Sequence, residues 1–429
     1  MMEYGEPTDN MRSEGLEREN RKMVGKILRT FFLFVAIYIV YQVGRLSAGT
    51  TDVMDSPVSR TFFSNTDPGN RDVDFALFWN VWDILREKYV DRTDLDASTL
   101  LYGAIDGMLA ASGDPYTTFF DPEEQQAFEE DISGKFEGIG AEMGIRDNIL
   151  TIIAPLEGAP AEQAGLRPND RVLGIDGEPS TNFSLDESVD RIRGPKDTEV
   201  TLTIFREGED ESRDVVVKRG LITVESVKLS FEDDGAVGIL RISRFGEDTE
   251  REYREAVTGL TGQNVRGMII DLRSNPGGLL DSAISIGSTM LPRGKVVVIE
   301  ENAAGERKED HAGGGDRFSG IPTVVLIDEG SASASEILAG ALRENRDNVT
   351  LVGKKSYGKG SVQELIPSSA DTSVKVTIAR WLTPKGNQIH EVGIIPDEEI
   401  GMTREDYEND RDPQMDRALQ IIREKIGKE

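Results

Sequence analysis

"PTVVLIDEGSASASEILAGALREN", residues 322 to 345, places three serines within five positions between an apolar run and a helix-like stretch. Thr323 to Ile327 are β-branched or aliphatic in succession, the pattern of a buried strand. From Ala334 the apolar residues recur at helical spacing. Strand, tight turn and helix in succession form the repeating unit of an α/β layer. The unit recurs across residues 221–400, where "AVGILRI", "RGMIIDLR", "KVVVIE" and "NVTLVG" alternate with "EREYREAVTGL" and "LLDSAISIGSTML". This predicts a largely parallel sheet covered by helices, with functional loops just beyond the strand ends. Two loops stand out: "RSNPGG" after "MIIDL", and "EGSASAS" after "VVLI".

Upstream the period changes. Over 132–220, "NILTIIAPL" and "EVTLTIFREG" read as strands, the second alternating strictly. Residues 73–131 read as helical: Phe75, Phe78, Trp82, Leu85 and Tyr89 recur at spacings of three and four and are expected to be core, with a second helix over about 97–111. "GDPYTTFFDPEE" is a turn-rich break, and residues 401–429 read as a polar helical tail.

"TFFLFVAIYIVYQVG", residues 30–44, is the one strongly apolar run. It is short for a spanning helix, which needs about 20 residues, but its flanks can extend it. Arg18, Arg21, Lys22, Lys26 and Arg29 precede it, against Arg45 and Arg60 behind. That bias predicts a single-pass anchor with residues 1–29 in the cytoplasm and the rest outside. A cleaved signal peptide is the rival. Residues 45–72 read as a flexible linker.

The composition narrows the chemistry. With 78 acidic and 49 basic residues the formal net charge is -29, so a nucleic-acid partner is not expected. Cysteine is absent, which excludes disulfides, thiol nucleophiles and thiolate metal sites. No metal or other cofactor is expected. Only two histidines occur, His311 and His390.

A serine nucleophile needs a base. His311 lies in the glycine-rich "KEDHAGGGDRFSG", read as a loop too loose to hold an imidazole; His390, in "GNQIHEVG", lacks an evident acidic partner. "KKSYGKGSVQ" offers lysines instead: Lys354 and Lys355 read as solvated, whereas Lys359 stands between two glycines, where backbone can approach closely. A lysine base must be neutral, so its pKa must fall well below the usual value of about 10.4. "GKKSYGKG" nearly matches a phosphate-binding loop, but Gly360 stands where Ser or Thr should hold magnesium, and "SVQELIP" reads as strand where a helix is required. Ser333 to Glu336 also spells a helix capping box. Cap and nucleophile are compatible, since a strand-to-helix turn sets the hydroxyl beside free backbone N–H groups.

Two resemblances extend this reading. Pro160, Ala161, Ala164, Gly165 and Leu166, followed by "RPNDRVLGIDG", resemble a PDZ domain, an inserted module over 132–220. "FEGIGAEM" then falls at the loop that takes a peptide's terminal carboxylate, implicating Phe136, Gly138, Ile139 and Gly140, with the peptide added as an extra strand. "GSASASEILAGAL", "VGKKSYGKGSVQ", "RWLTPKGNQIHEVGIIPD", "DLRSNPGGLL" and "YGAIDGMLAASGDPYTTFFDPEE" together resemble the C-terminal processing peptidases, or tail-specific proteases, from about 75 to 400. The resemblance implies a Ser–Lys dyad: Ser333 as nucleophile, Lys359 as base, Gln363 orienting the lysine, and an oxyanion hole from Ala334 with Gly277 or Gly278. It implies a serine endopeptidase cutting proteins with free C-termini, compatible with a homo-oligomer and a protein adaptor. The alternative is a catalytically silent PDZ scaffold. One departure is visible: "RENRDNVT" is about one residue longer than the family pattern and lacks a small residue usual there.

Overall fold

A computed structural model describes residues 74–369, 371–409 and 411–427. The apolar run 30–44 and its flanks 1–29 and 45–72 lie outside them. Among the described residues no helix is long and apolar enough to cross a membrane. The chain divides into two compact units, Met1–Ala97 and Ser98–Glu429.

The described part of the first unit is the helix Ala76–Lys88 and a short turn of 3-10 helix, Arg92–Asp94. The aromatic residues expected as core are not core: no residue of Ala76–Lys88 is buried, and Phe75 and Tyr89 are exposed. Phe78 packs on Trp79 and Trp82 at ring distances of 5.1 and 6.1 Å. Helical spacing shows that apolar residues share a face; it does not show that anything covers it.

In the second unit the central sheet runs Val227–Glu232, Val237–Ile242, Gly267–Asp271, Thr323–Ile327, Val349–Gly353, Glu398–Glu399. The first pair is antiparallel and every later pair is parallel. Every residue of Gly267–Asp271 and Thr323–Ile327 is buried, because helices cover both faces. Met268, Ile270, Val325 and Ile327 pack into a core with Tyr253, Ile286 and Leu338 from three helices on one side. Ile269, Val324, Leu326 and Val352 face the other, where Ala418, Leu419, Ile421 and Ile422 of the helix Pro413–Ile426 close the core. The terminal helix, read as polar, therefore covers that face of the sheet with an apolar stripe, its polar and charged residues lying on the rest of its surface.

A second, antiparallel sheet joins Thr118–Phe120, Ser373–Leu382, Val296–Asn302 and Arg307–His311, and Ser361–Pro367 pairs along Ser373–Leu382. His311 thus ends a strand instead of lying in a loop. Ser361–Pro367 is strand, as read, so no helix follows "GKKSYGKG". The segment between the two sheets folds separately around its own core, with strands from Ala141–Arg146 to Arg213–Lys218. Where the chain enters and leaves that segment, Lys135–Gly138 pairs with Gly220–Thr223. The helix Pro122–Ser133 precedes it, started by the Asp121 carboxylate accepting from the N–H groups of Glu123 and Glu124 and stopped by Gly134 at φ +66°.

Candidate active site

The three serines have different fates. Ser331 is buried; its hydroxyl donates to the Leu272 carbonyl at 2.8 Å and accepts from the Asp328 N–H at 2.9 Å. Ser335, also buried, donates to the Asn275 carbonyl at 3.0 Å. Both are committed to fastening the turn to the "RSNPGG" loop. Ser333 alone is half-exposed and lines a cavity of about 870 Å³. It sits just before the helix Ala334–Asn345 with φ +54° and ψ -114°, a conformation sparsely populated by residues with a side chain and common where function demands it. Its N–H donates to the Glu336 carboxylate at 2.8 Å, so part of the capping box exists.

Lys359 lines the same cavity. Its flanking glycines are required by close approach: a Cβ on Gly360 would lie 2.7 Å from the His390 nitrogen, and one on Gly358 2.9 Å from the Gly393 nitrogen. The Lys359 carbonyl accepts from the Trp381 indole at 2.8 Å, and its ammonium lies 4.9 Å from the centre of the Tyr116 ring. Burial pushes the Lys359 amine below the ordinary lysine range, and the like charge of Lys375 pushes it the same way; Asp114 and Glu336 oppose them. Neither histidine lines the cavity. His390 instead sits edge-on to Tyr116, ring centres 6.5 Å apart.

The glycine pair divides its work. The Gly277 N–H is already taken by the Asn275 side chain at 2.9 Å. A Cβ on Gly277 would stand 2.8 Å from both the Ala332 carbonyl oxygen and the Ser333 Cβ, so this glycine gives the serine turn room. The N–H groups of Gly278 and Ala334 have no acceptor among the described residues. Gln363 lines the cavity, but its amide donates to Ser361 and Thr377, not to Lys359.

In the separate segment the four candidate peptide-binding residues part company. Phe136 and Gly138 belong to the connecting ribbon, opposite Ile222 and Gly220, and the Arg193 guanidinium covers the Phe136 ring at 4.9 Å. Ile139 is buried and its carbonyl accepts from Ala161 N–H at 2.8 Å; Gly140 has φ +70°, and a Cβ there would meet that of Ala159 at 2.5 Å. They lead into the strand Ala141–Arg146, which pairs on one side only among the described strands and packs near the helix Leu185–Ile192.

Comparison with known proteins now bears on this geometry. Residues 236–400 match the model of Peptidase family S41, residues 151–206 a PDZ domain, and residues 37–124 the activating protease CtpB N-terminal domain. The chain is 40% identical over 324 residues to a carboxyl-terminal-processing protease of Synechocystis sp., covering 74% of this chain and 75% of that protein. The chain belongs to the carboxyl-terminal processing proteases. Like them it is a serine-type peptidase carrying a PDZ domain. CtpA of Bacillus subtilis is 35% identical over 370 residues, 86% of this chain and 76% of that one. A solved structure from Bacteroides fragilis, described as an S41 protease, shares the fold at 15% identity with a TM-score of 0.50, covering 83% of this chain and 97% of that one.

One residue of this processing protease was read only as a cap. The Glu336 carboxylate is fully buried and accepts from Ser333 N–H at 2.8 Å, Ser356 hydroxyl at 2.5 Å, Gly358 N–H at 2.8 Å and Lys359 N–H at 3.0 Å. Burial pushes its pKa up while these donors pull it down, and burial prevails. It ties the serine turn to the lysine loop. The S-x-x-E spacing was the available signal, but the second set of donors comes from 20 to 23 residues away.

Proposed function

We propose that this protein is an endopeptidase in which Ser333 attacks the scissile carbonyl while the neutral amine of Lys359 takes the hydroxyl proton. The observation that carries the reading is the pairing in one cavity of the only open serine of the triplet with a lysine whose charge is disfavoured by burial. The tetrahedral oxyanion accepts from the N–H groups of Ala334 and Gly278, both without an internal acceptor. The Lys359 ammonium then gives its proton to the departing amine, leaving an acyl-enzyme on Ser333. Water, deprotonated by Lys359, releases it. Gln363 holds the wall of the cavity beside the lysine.

The PDZ domain, over 132–220, takes the C-terminus of a protein substrate along Ala141–Arg146, with Ile139 and Gly140 at the carboxylate end. Residues 221–400 form the catalytic core. The apolar run 30–44 and its upstream basic residues support an anchor that holds the enzyme outside the cytoplasm. Digestion of a C-terminally unstructured protein by the full chain tests the central reading: Ser333→Ala abolishes cleavage with the fold intact, whereas Ser331→Ala or Ser335→Ala leaves cuts at the same bonds. Cleavage by Ser333→Ala at the wild-type rate would dismiss it.

A further inference from the structure

Lys375 lines the same cavity as Ser333 and Lys359, from the strand Ser373–Leu382. Its ammonium stands 4.8 Å from the centre of the Phe120 ring and 5.8 Å from that of Phe128. Among the described residues it has no carboxylate partner and no hydrogen bond. Most described lysines that lie against no Asp or Glu are exposed; Lys425, half-buried, donates to the Thr350 hydroxyl at 3.0 Å, and Lys359 shares the cavity with Lys375. Glu129, Glu130 and Glu247 line the cavity too; Glu129 is engaged by Gln125 and Glu130 by Gln126 and Arg193, and none of the three forms an ion pair with Lys375. A partly buried ammonium without a counter-charge is costly. Burial alone pushes the Lys375 amine below the ordinary lysine range. The aromatic faces relieve part of that cost, and a carboxylate arriving through the cavity relieves the rest.

We propose that Lys375 is a specificity-determining residue that receives a carboxylate of the substrate inside the catalytic cavity. The cavity walls beside it include Ile337, Val362, Leu365 and Trp381. The favoured substrate segment therefore carries apolar residues with one acidic group near the cut bond. That group is either an Asp or Glu side chain or the terminal carboxylate itself, when the released piece is short. The proposal rests on the cavity being the place of cleavage, as read above.

The test uses the full chain with Ser333→Ala, so that peptides bind without turnover. A parent peptide is prepared with a single Glu walked along it, each version beside its Gln counterpart, and each with a free-acid and an amidated C-terminus. Calorimetry is expected to show at least one Glu-to-Gln or acid-to-amide change that weakens binding by about tenfold or more. With Lys375→Met added, that difference is expected to fall below about twofold, and Lys375→Arg is expected to retain it. A side-chain dependence identifies an internal acid; an acid-to-amide dependence identifies the terminus. A preference for free acid that survives Lys375→Met belongs to the PDZ domain and does not count. Lys375→Met changing every affinity by one common factor, or none, would overturn the proposal. Turnover by the enzyme with Ser333 intact supplies a second reading: if Lys375 acts only by repelling the charge on Lys359, Lys375→Met displaces the acid limb of kcat equally for Glu and Gln peptides. Because the binding arms need no catalysis, a failed Ser333 reading and a failed Lys375 reading give different results.

Discussion

Glu336→Gln isolates the tie between the serine turn and the lysine loop. The carboxylate faces four donors: its Oε2 accepts from the N–H groups of Ser333 and Lys359, its Oε1 from the Ser356 hydroxyl and the Gly358 N–H. An amide offers one acceptor oxygen. Turned toward Ser333 and Lys359, the NH2 would face two N–H donors. Turned toward Ser356, it can donate to a rotated hydroxyl, and only the Gly358 N–H is orphaned. The second arrangement is therefore expected. One charge-assisted bond is lost outright, about 1.5–3 kcal/mol, and the others weaken. Against this, the burial cost that raises the Glu336 pKa disappears with the charge. The net is a destabilisation of about 1–3 kcal/mol, a fall in Tm of a few degrees. The larger effect is catalytic. The Gly358–Gly360 loop loses the contact that sets Lys359 against Ser333, and a displacement of about 1 Å costs on the order of a hundredfold. Thermal unfolding followed by circular dichroism, with kcat/KM on a fluorogenic peptide, measures both. A variant within threefold of wild type in kcat/KM would refute the claim that Glu336 couples the two loops.

Gly278→Ala places a Cβ 2.1 Å from the Phe245 carbonyl oxygen at φ +133°, so kcat is expected to fall by about 10²–10³ as the oxyanion donor moves, read by steady-state kinetics. Activity depends on neutral Lys359 and therefore rises with pH to a plateau below the usual lysine range, visible in a kcat–pH profile. The same depressed pKa means that the fold bears a penalty for the charged lysine, fully present below the folded pKa and gone above about pH 10.4. Lys359→Met is accordingly expected to raise Tm more at pH 7 than at pH 11. Amidating a peptide's C-terminus is expected to weaken its binding to the Ser333→Ala chain by about tenfold or more, as calorimetry would show, and the part of that effect that survives Lys375→Met is the contribution of the PDZ domain.

The α/β core was legible because its strands are uninterrupted apolar runs that only a sheet covered on both faces can bury, as at Thr323–Ile327. The strand Ser361–Pro367 was legible through Pro367 and the missing helical period. Lys359 could be ranked from its two flanking glycines, whereas the choice of Ser333 among three serines at the strand-to-helix turn rested on the resemblance to the tail-specific proteases. What could not be read was which groups are already spent. Nothing local shows that Ser331 and Ser335 bond to the Leu272 and Asn275 carbonyls, because those two bonds join segments about 60 residues apart. The Asn275 side chain that takes the Gly277 N–H lies only two residues away, but an Asn at that spacing does not by itself show which way its amide turns. The roles of Glu336 and Lys375 are equally non-local: each depends on what a distant strand brings, or fails to bring, beside a charge. The C-terminal helix was misjudged for a simpler reason: the polar and charged residues on and around it hide the apolar face that Ala418, Leu419, Ile421 and Ile422 bury.

The central claim, a Ser333 hydroxyl activated by Lys359, is tested most directly by labelling the full chain with a fluorophosphonate and locating the adduct by peptide mass spectrometry. We expect one adduct, on Ser333, forming faster as pH rises through the lowered Lys359 pKa and lost to background in Lys359→Ala. An adduct on Ser331 or Ser335, or labelling of Ser333 at an unchanged rate in Lys359→Ala, would contradict it.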